Sequence, residues 1–151
     1  MKKLILSLLV AAFVGGNTLS AQTITKNEDG KYSLSVGHVT LTVDAQKGGK
    51  IVSYRYDDKE ILSQTKIPNS FGSTFWTSPQ SEWNWPPVPE YDTKPFNAEV
   101  AGDKLILTGE KSKRFGYRVR KELTTDKKDN AIVITYTIIN ESGETRKVAP
   151  W

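Results

Sequence analysis

The chain has 151 residues, with 21 Lys and Arg against 17 Asp and Glu, 10% aromatic residues and no Cys. This composition excludes a disordered chain, a disulfide scaffold and a metal site held by thiolates. The formal net charge of +4 gives no indication of a nucleic-acid partner. A chain of this length has room for one sound hydrophobic core, so we expect a single domain.

The first 21 residues have the order of a secretory signal peptide. Lys2 and Lys3 precede an apolar run over residues 4–14, and small residues precede Gln22. The apolar run is shorter than the roughly 20 residues that a membrane-spanning helix needs. We therefore expect residues 1–21 to be removed. The remaining chain is then exported to the periplasm or the extracellular space, without attachment to a membrane.

From Lys31 onward, apolar residues recur with a period of two, which is typical of half-buried strands. Gly37 predicts a bulge or a tight turn, and Asp57-Asp58 predicts a hairpin turn. No window of a dozen residues supports an amphipathic helix, and the regular spacing of strands and turns predicts an all-β fold, an antiparallel β-sandwich. In chain order, the predicted strands lie over residues 33–36, 38–43, 50–56, 59–62, 98–100, 104–107, 115–123 and 131–140.

The strand predicted over residues 115–123 has one apolar face and one charged face. Arg118, Arg120 and Glu122 alternate with the apolar residues and share the charged face. Because planar guanidinium groups bind anionic and polyhydroxyl ligands well, Arg118 is a candidate ligand-binding residue. The alternative is that this row is solvated and paired with neighbouring charges.

The strand pattern stops between Gln64 and Pro95, a segment that we call the aromatic loop. It holds three of the four Trp and five of the seven Pro of the chain, with Pro95 at its end. A connection of this length without regular structure is uncommon in a compact domain unless it is functional or disordered. Disordered segments are poor in aromatic residues, so we expect the aromatic loop to be functional.

The aromatic loop contains both kinds of side chain that a sugar ring requires. Aromatic rings cover the C–H face of a sugar, and planar polar groups bind its hydroxyls. The alternative interpretation is that the Trp residues cap the open end of the sandwich. The candidate ligand-binding residues in the loop are Trp76, Gln80, Trp83, Trp85 and Glu90.

Catalysis on a sugar would require acid and base groups. A glycosidase uses two carboxylates about 5 to 9.5 Å apart, and Glu82, Glu90 and Asp92 qualify by location alone. Glu90 and Asp92 are accordingly the candidate catalytic residues, and the sequence leaves open whether the chain is an enzyme. A single His and no Cys exclude a metal site of the His-and-Cys kind. The Asp and Glu residues leave calcium on oxygen ligands open, but no calcium-loop motif supports it, so we predict neither a metal site nor a cofactor.

Three stretches, in order along the chain, carry a family likeness. They are residues 47–54 with the Gly48-Gly49 pair and the following residues 59–62, then residues 71–74, then residues 132–144. Together they resemble the N-terminal half of the aldose 1-epimerase, or galactose mutarotase-like, β-supersandwich family. Likeness to an exported bacterial branch of that superfamily extends through residues 76–80, 85–87 and 149–151.

The resemblance implies a supersandwich that recognises a carbohydrate. Residues 22–151 would form the N-terminal part of such a domain, which we expect to be incomplete at its C-terminus because the family's domain is longer. The family's loop histidines have no counterpart, since no His follows His38. We therefore expect an exported carbohydrate-recognising protein, and the sequence leaves open whether it acts on a sugar or oligosaccharide. The alternatives are a non-catalytic carbohydrate-binding or structural module, and an acid/base glycoside hydrolase or lyase on the same fold.

Overall fold

The computed structural model describes residues 23–65 and 71–151. The predicted signal peptide and residues 66–70 of the aromatic loop lie outside the described residues. The helical segments are a 3-10 helix (Gln80–Glu82) and the single-turn helix α1 (Pro89–Asp92). The strands are β1 (Ile24–Lys26), β2 (Tyr32–Val36), β3 (Val39–Asp44), β4 (Lys50–Tyr56), β5 (Lys59–Glu60), β6 (Thr77–Ser78), β7 (Asn97–Ala101), β8 (Lys104–Thr108), β9 (Tyr117–Asp126), β10 (Ala131–Asn140) and β11 (Ala149–Pro150).

Two antiparallel sheets form the body of the protein. One has the strand order β1-β2-β3-β4-β5 and the other has the order β10-β9-β8-β7. Strand β2 packs against β9 and β10, which places the two sheets face to face around the core. The prediction of an all-β antiparallel sandwich is confirmed. None of the helices within the described residues is long and apolar enough to cross a membrane.

The strands with the clearest alternation lie where the sequence predicts them. Strands β4 and β10 begin and end at the predicted residues, and the turn between β4 and β5 has Asp57 at a φ of 49°. Strand β9 begins at Tyr117 instead of Phe115, because Gly116 turns the chain at a φ of 70° and donates its N–H to the Ser112 carbonyl. Strand β5 ends at Glu60, two residues earlier than predicted, and leaves Ile61 exposed.

A short third sheet pairs β6 in the aromatic loop with β11. Its strands have two residues each, so they show no alternation from which they could be predicted. The sheet nevertheless fixes the middle of the aromatic loop against residues far along the chain. The pairing brings Ala149 opposite Ser78 and Pro150 opposite Thr77.

Strand β10 shows that alternation alone does not guarantee burial. Ile132, Ile134 and Ile138 of its predicted apolar face are only half-buried, and Tyr136 on the same face is exposed. Within the described residues, β10 pairs only with β9 and so forms an edge of its sheet. An edge strand has one neighbour fewer to cover its side chains.

Candidate functional site

Trp76 lies at the centre of a cluster that contains all four tryptophans of the chain. Its ring centroid lies 5.7 Å from that of Trp83, 5.8 Å from that of Trp85 and 5.7 Å from that of Trp151. Each of the three contacts is edge-to-face, an arrangement that aromatic pairs prefer. We call these four residues the tryptophan cluster. Each ring in the cluster is oriented by contact with Trp76.

Polar contacts fix Trp76 itself. Its indole Nε1 donates to Oδ1 of Asp92 at 3.2 Å. Its backbone N–H donates to the Trp151 carbonyl, and its carbonyl accepts from the Trp151 N–H, each at 2.9 Å. These two backbone hydrogen bonds between Trp76 and Trp151 continue the ladder of β6 and β11 by one residue. The centre of the cluster is therefore held from two sides.

Asp92 is buried and forms an ion pair with Lys50, whose Nζ lies 3.0 Å from Oδ1. The turn before β4 makes this contact possible, since Gly48 has a φ of 65° and a Cβ there would lie 2.1 Å from the Asp92 carbonyl oxygen. Only glycine permits such an approach. The Gly48-Gly49 pair thus lets the body of the sandwich pack directly against α1.

Helix α1 directs its two acidic residues to different places. Pro89 occupies the first helical position, where the missing N–H costs nothing. Residues two apart on a helix do not face one another, so Glu90 and Asp92 have different neighbours. Asp92 binds Lys50 and Trp76, whereas Glu90 accepts from Lys94 Nζ at 3.1 Å. The geometry of Asp92 fits a positioning residue better than an acid/base catalyst.

The structure divides the candidate tryptophans between the two interpretations. Trp83 is 3% exposed and donates its Nε1 to the Thr77 carbonyl at 2.7 Å, so it caps the core and has no free ring face for a sugar. Trp85 is 63% exposed, although its orientation is fixed by Trp76. The cap interpretation thus fits Trp83, and the sugar-site interpretation fits Trp85.

A groove of about 360 Å³ lies beside Trp85, and we call it the Trp85 groove. The charged residues that line it are Glu90, which is buried, and Lys113 and Arg114 from the segment before β9. Arg114 is held by a bond from one guanidinium nitrogen to the Glu82 carbonyl at 2.7 Å. The residues that line the groove are Trp83, Trp85, Pro86, Pro87, Val88, Pro89, Glu90, Lys113 and Arg114.

A second groove, of about 450 Å³, lies beside Trp151, and we call it the Trp151 groove. Gln80 lines this groove and not the Trp85 groove, together with Ser78 and Ser81. Trp151 is 59% exposed and is not among the site residues that the sequence predicts. Its pairing with Trp76 spans 75 positions of the chain through a two-residue strand, so no local sequence signal predicts it.

Arg118 lies on the outer face of β9, where its guanidinium group already has protein partners. Its Nε donates to Oε1 of Glu141 at 3.0 Å, and a second nitrogen donates to the Gly109 carbonyl at 3.0 Å. The bond from Arg118 holds the pKa of the Glu141 carboxyl below its usual range. In the same row Arg120 pairs with Glu122. This pattern favours the interpretation of a paired surface row over a ligand site.

Comparison of the chain with protein-family models, with curated proteins and with solved structures found no match. The fold and the site define an all-β sandwich with a tryptophan cluster between two grooves.

Lys121 is a buried cation beneath the site. It lies on the inner face of β9, 3% exposed, and its Nζ donates to the carbonyls of Gly48 and Gly49 at 2.7 and 3.1 Å. Nζ also lies 5.1 Å from the ring centroid of Phe96. Burial, with the nearby charge of Lys50 as a smaller cause, lowers the pKa of Lys121 to about 8. The ordinary value is 10.5.

This lowered pKa predicts how stability depends on pH. Between pH 8 and 10.5 the unfolded chain holds a proton on Lys121 that the folded protein has lost, so the free energy of unfolding rises with pH. Below pH 8 both states hold the proton and this contribution is constant. We expect a rise of about 2 kcal/mol between pH 8 and 10, measured by urea denaturation. Lys121→Met should lack this rise, and an equal rise in both proteins would contradict the assignment.

Proposed function

We propose that this chain is an exported carbohydrate-recognising protein of the galactose mutarotase-like superfamily, and that it binds a sugar ring on Trp85. The observation that carries the proposal is that Trp85 is 63% exposed and yet oriented by its contact with Trp76. A ring fixed before the ligand arrives loses little conformational entropy on binding. The signal-peptide pattern and the ordered family motifs support the export and the superfamily.

The polar groups of the Trp85 groove complement the hydroxyls of a sugar. Glu90 offers carboxylate oxygens as acceptors, and its orientation is set by Lys94, which also contacts Glu110. Lys113 and Arg114, which also line the groove, offer donors. Sugar hydroxyls both donate and accept, so a site with an aromatic face and both kinds of polar group suits them.

The lining of the groove favours binding over hydrolysis. Of the described residues that line it, Glu90 is the one carboxylate. A glycosidase of the usual kind requires two, and Asp92 is engaged by Lys50 and Trp76. We therefore propose recognition without turnover as the principal function. The enzyme alternative would use Glu90, which lies in the same groove as Trp85.

Replacing Trp85 by Ala is expected to weaken carbohydrate binding about tenfold, because a stacked ring contributes on the order of 1 kcal/mol beyond its burial. Unfolding free energy should change by less than about 1 kcal/mol, since an exposed ring contributes little to the core. A glycan array identifies the binding sugar, and calorimetric titration then gives the affinities.

Tyr56→Ala serves as the matched control, because Tyr56 is an exposed aromatic residue on β4, outside both grooves. It should leave the affinity unchanged. Trp85→Phe, which keeps an aromatic ring, should retain most of the affinity. Equal binding by wild type and Trp85→Ala would contradict the proposed site.

A further inference from the structure

We propose that the ligand of the Trp85 groove is an acidic saccharide, and that Lys113 and Arg114 bind its carboxylate or sulfate group. This inference rests on the proposed function and deepens it, because it names the class of sugar that the same site takes. The two cations line the groove together with the exposed Trp85. A neutral sugar would use the indole ring but would leave both positive charges without an anionic partner.

The charges of the groove favour an anion. Lys113 and Arg114 are exposed, and neither forms an ion pair within residues 23–65 and 71–151. The negative charge of the groove is already compensated, because the buried Glu90 lies 3.1 Å from the Nζ of Lys94. Two uncompensated cations beside an aromatic ring complement a sugar that carries a negative group.

The guanidinium group of Arg114 is oriented before any ligand binds. One of its nitrogens donates to the Glu82 carbonyl at 2.7 Å, and its central carbon lies 4.9 Å from the ring centroid of Phe115. The bond to Glu82 uses one of the five N–H groups of the guanidinium. The others suit the oxygens of a carboxylate or a sulfate, which a planar guanidinium binds in pairs. A cation held in this way loses little entropy on binding.

The turn that carries both cations is anchored in the core. The N–H of Gly116 donates to the Ser112 carbonyl at 2.9 Å, and the N–H of Ser112 donates to the Tyr117 carbonyl at 2.7 Å. Ser112 and Tyr117 are both fully buried, at 0% exposed. The backbone of Lys113 and Arg114 therefore has a fixed position beside the groove.

An acidic sugar should bind at least about tenfold more tightly than a neutral sugar with the same skeleton, because charge-assisted hydrogen bonds are stronger than neutral ones. The preference should become smaller as the salt concentration rises, since salt screens exposed charges. It should also depend on the two cations of the groove.

The test is calorimetric titration, at low and at high salt, with saccharide pairs that differ in charge alone. Oligogalacturonate and oligomannuronate are each compared with their methyl esters, and carrageenan oligosaccharides are compared with their desulfated form. The same comparison is extended to any sugar that a glycan array selects. The ester pairs report on a carboxylate and the carrageenan pair on a sulfate, so the results distinguish the two acidic groups.

Substitutions of the cations assign the preference to residues. The double variant Lys113→Gln with Arg114→Gln should lose at least about tenfold in affinity for the acidic sugar and less for its neutral counterpart. Arg114→Lys keeps the charge and should retain most of the preference. Lys113→Gln alone changes only an exposed side chain and should lose about threefold.

Lys128→Gln is the matched control, because it removes the same charge from an exposed lysine in the turn between β9 and β10, outside the groove. It should leave the affinity for the acidic sugar unchanged. Thermal melting of each variant should confirm that it is folded.

The outcomes separate this inference from the proposed function. Binding that depends on Trp85 with equal affinity for acidic and neutral sugars overturns the acidic ligand and leaves the proposed function standing. A preference for the acidic sugar that survives the double variant overturns the role of Lys113 and Arg114. Absence of binding by every pair and by the array overturns both proposals. A preference that the double variant loses, with affinity that also falls in Trp85→Ala, supports both.

Discussion

Asp92→Asn is expected to lower the free energy of unfolding by about 3 to 5 kcal/mol, because it removes one partner of a buried ion pair. The Lys50 ammonium would remain buried without its carboxylate, 3.0 Å from an uncharged amide. A second buried cation, Lys121, lies close enough that the charge of Lys50 helps to lower its pKa. Two neighbouring buried cations without Asp92 repel one another, which adds to the cost.

Urea denaturation at neutral pH measures this effect, and a double variant separates the ion pair from its surroundings. Lys50→Met combined with Asp92→Leu replaces the pair by apolar side chains and should recover most of the lost stability, since such replacements are often neutral. Stability of Asp92→Asn within about 1 kcal/mol of wild type would show that Lys50 does not depend on the pair. The Trp76 indole Nε1 donates to the same oxygen, and the amide oxygen of Asn can still accept that bond, so the substitution tests the ion pair more than the Trp76 contact.

Trp83→Ala is expected to lower the free energy of unfolding by about 3 to 5 kcal/mol, the usual cost of deleting a large buried aromatic ring. Trp83 is 3% exposed and belongs to the main core cluster. The substitution also leaves the Thr77 carbonyl without the indole donor that lies 2.7 Å away. An unpaired buried acceptor costs about 1 to 3 kcal/mol, which places the expected loss for Trp83→Ala at the upper end of its range.

Trp83→Phe and Trp85→Ala are the controls for this result. Trp83→Phe keeps a ring but not the donor, so its cost should be smaller than that of Trp83→Ala. Trp85→Ala removes the same side chain from an exposed position two residues along and should cost little. Similar unfolding free energies for Trp83→Ala and Trp85→Ala would contradict the assignment of Trp83 to the core and of Trp85 to the surface.

The strands whose bounds the sequence predicts best are those with a long run of strand-forming residues between two turns. Strands β4 and β10 match their predicted bounds for that reason. Strands β1, β6 and β11 have two or three residues, too few for a period to appear. Lys121 is a different case, because its buried position is set by two carbonyls from a turn of the opposite sheet. Such a long-range contact has no local signature.

The sequence also predicts the composition of the site better than its arrangement. Composition alone selects Trp83, Trp85 and Glu90, and the structure brings them to one groove. Trp83 is buried because it contacts Thr77 and Trp76. The residues next to Trp83 in the sequence do not predict these contacts. Long-range pairing likewise decides that Gln80 lies beside Trp151. Arg118, on the outer face of β9, pairs with Glu141, which lies 23 positions further along the chain.

The most direct test of sugar recognition at Trp85 follows the indole N–H signals of the four tryptophans by NMR in ¹⁵N-labelled protein. Each signal is assigned by the corresponding Trp→Phe variant, and the protein is titrated with the oligosaccharide that a glycan array selects. We predict a large, saturable shift of the Trp85 signal and little change in that of Trp83, whose N–H is buried against the Thr77 carbonyl. A bound sugar that leaves the Trp85 signal in place would contradict it.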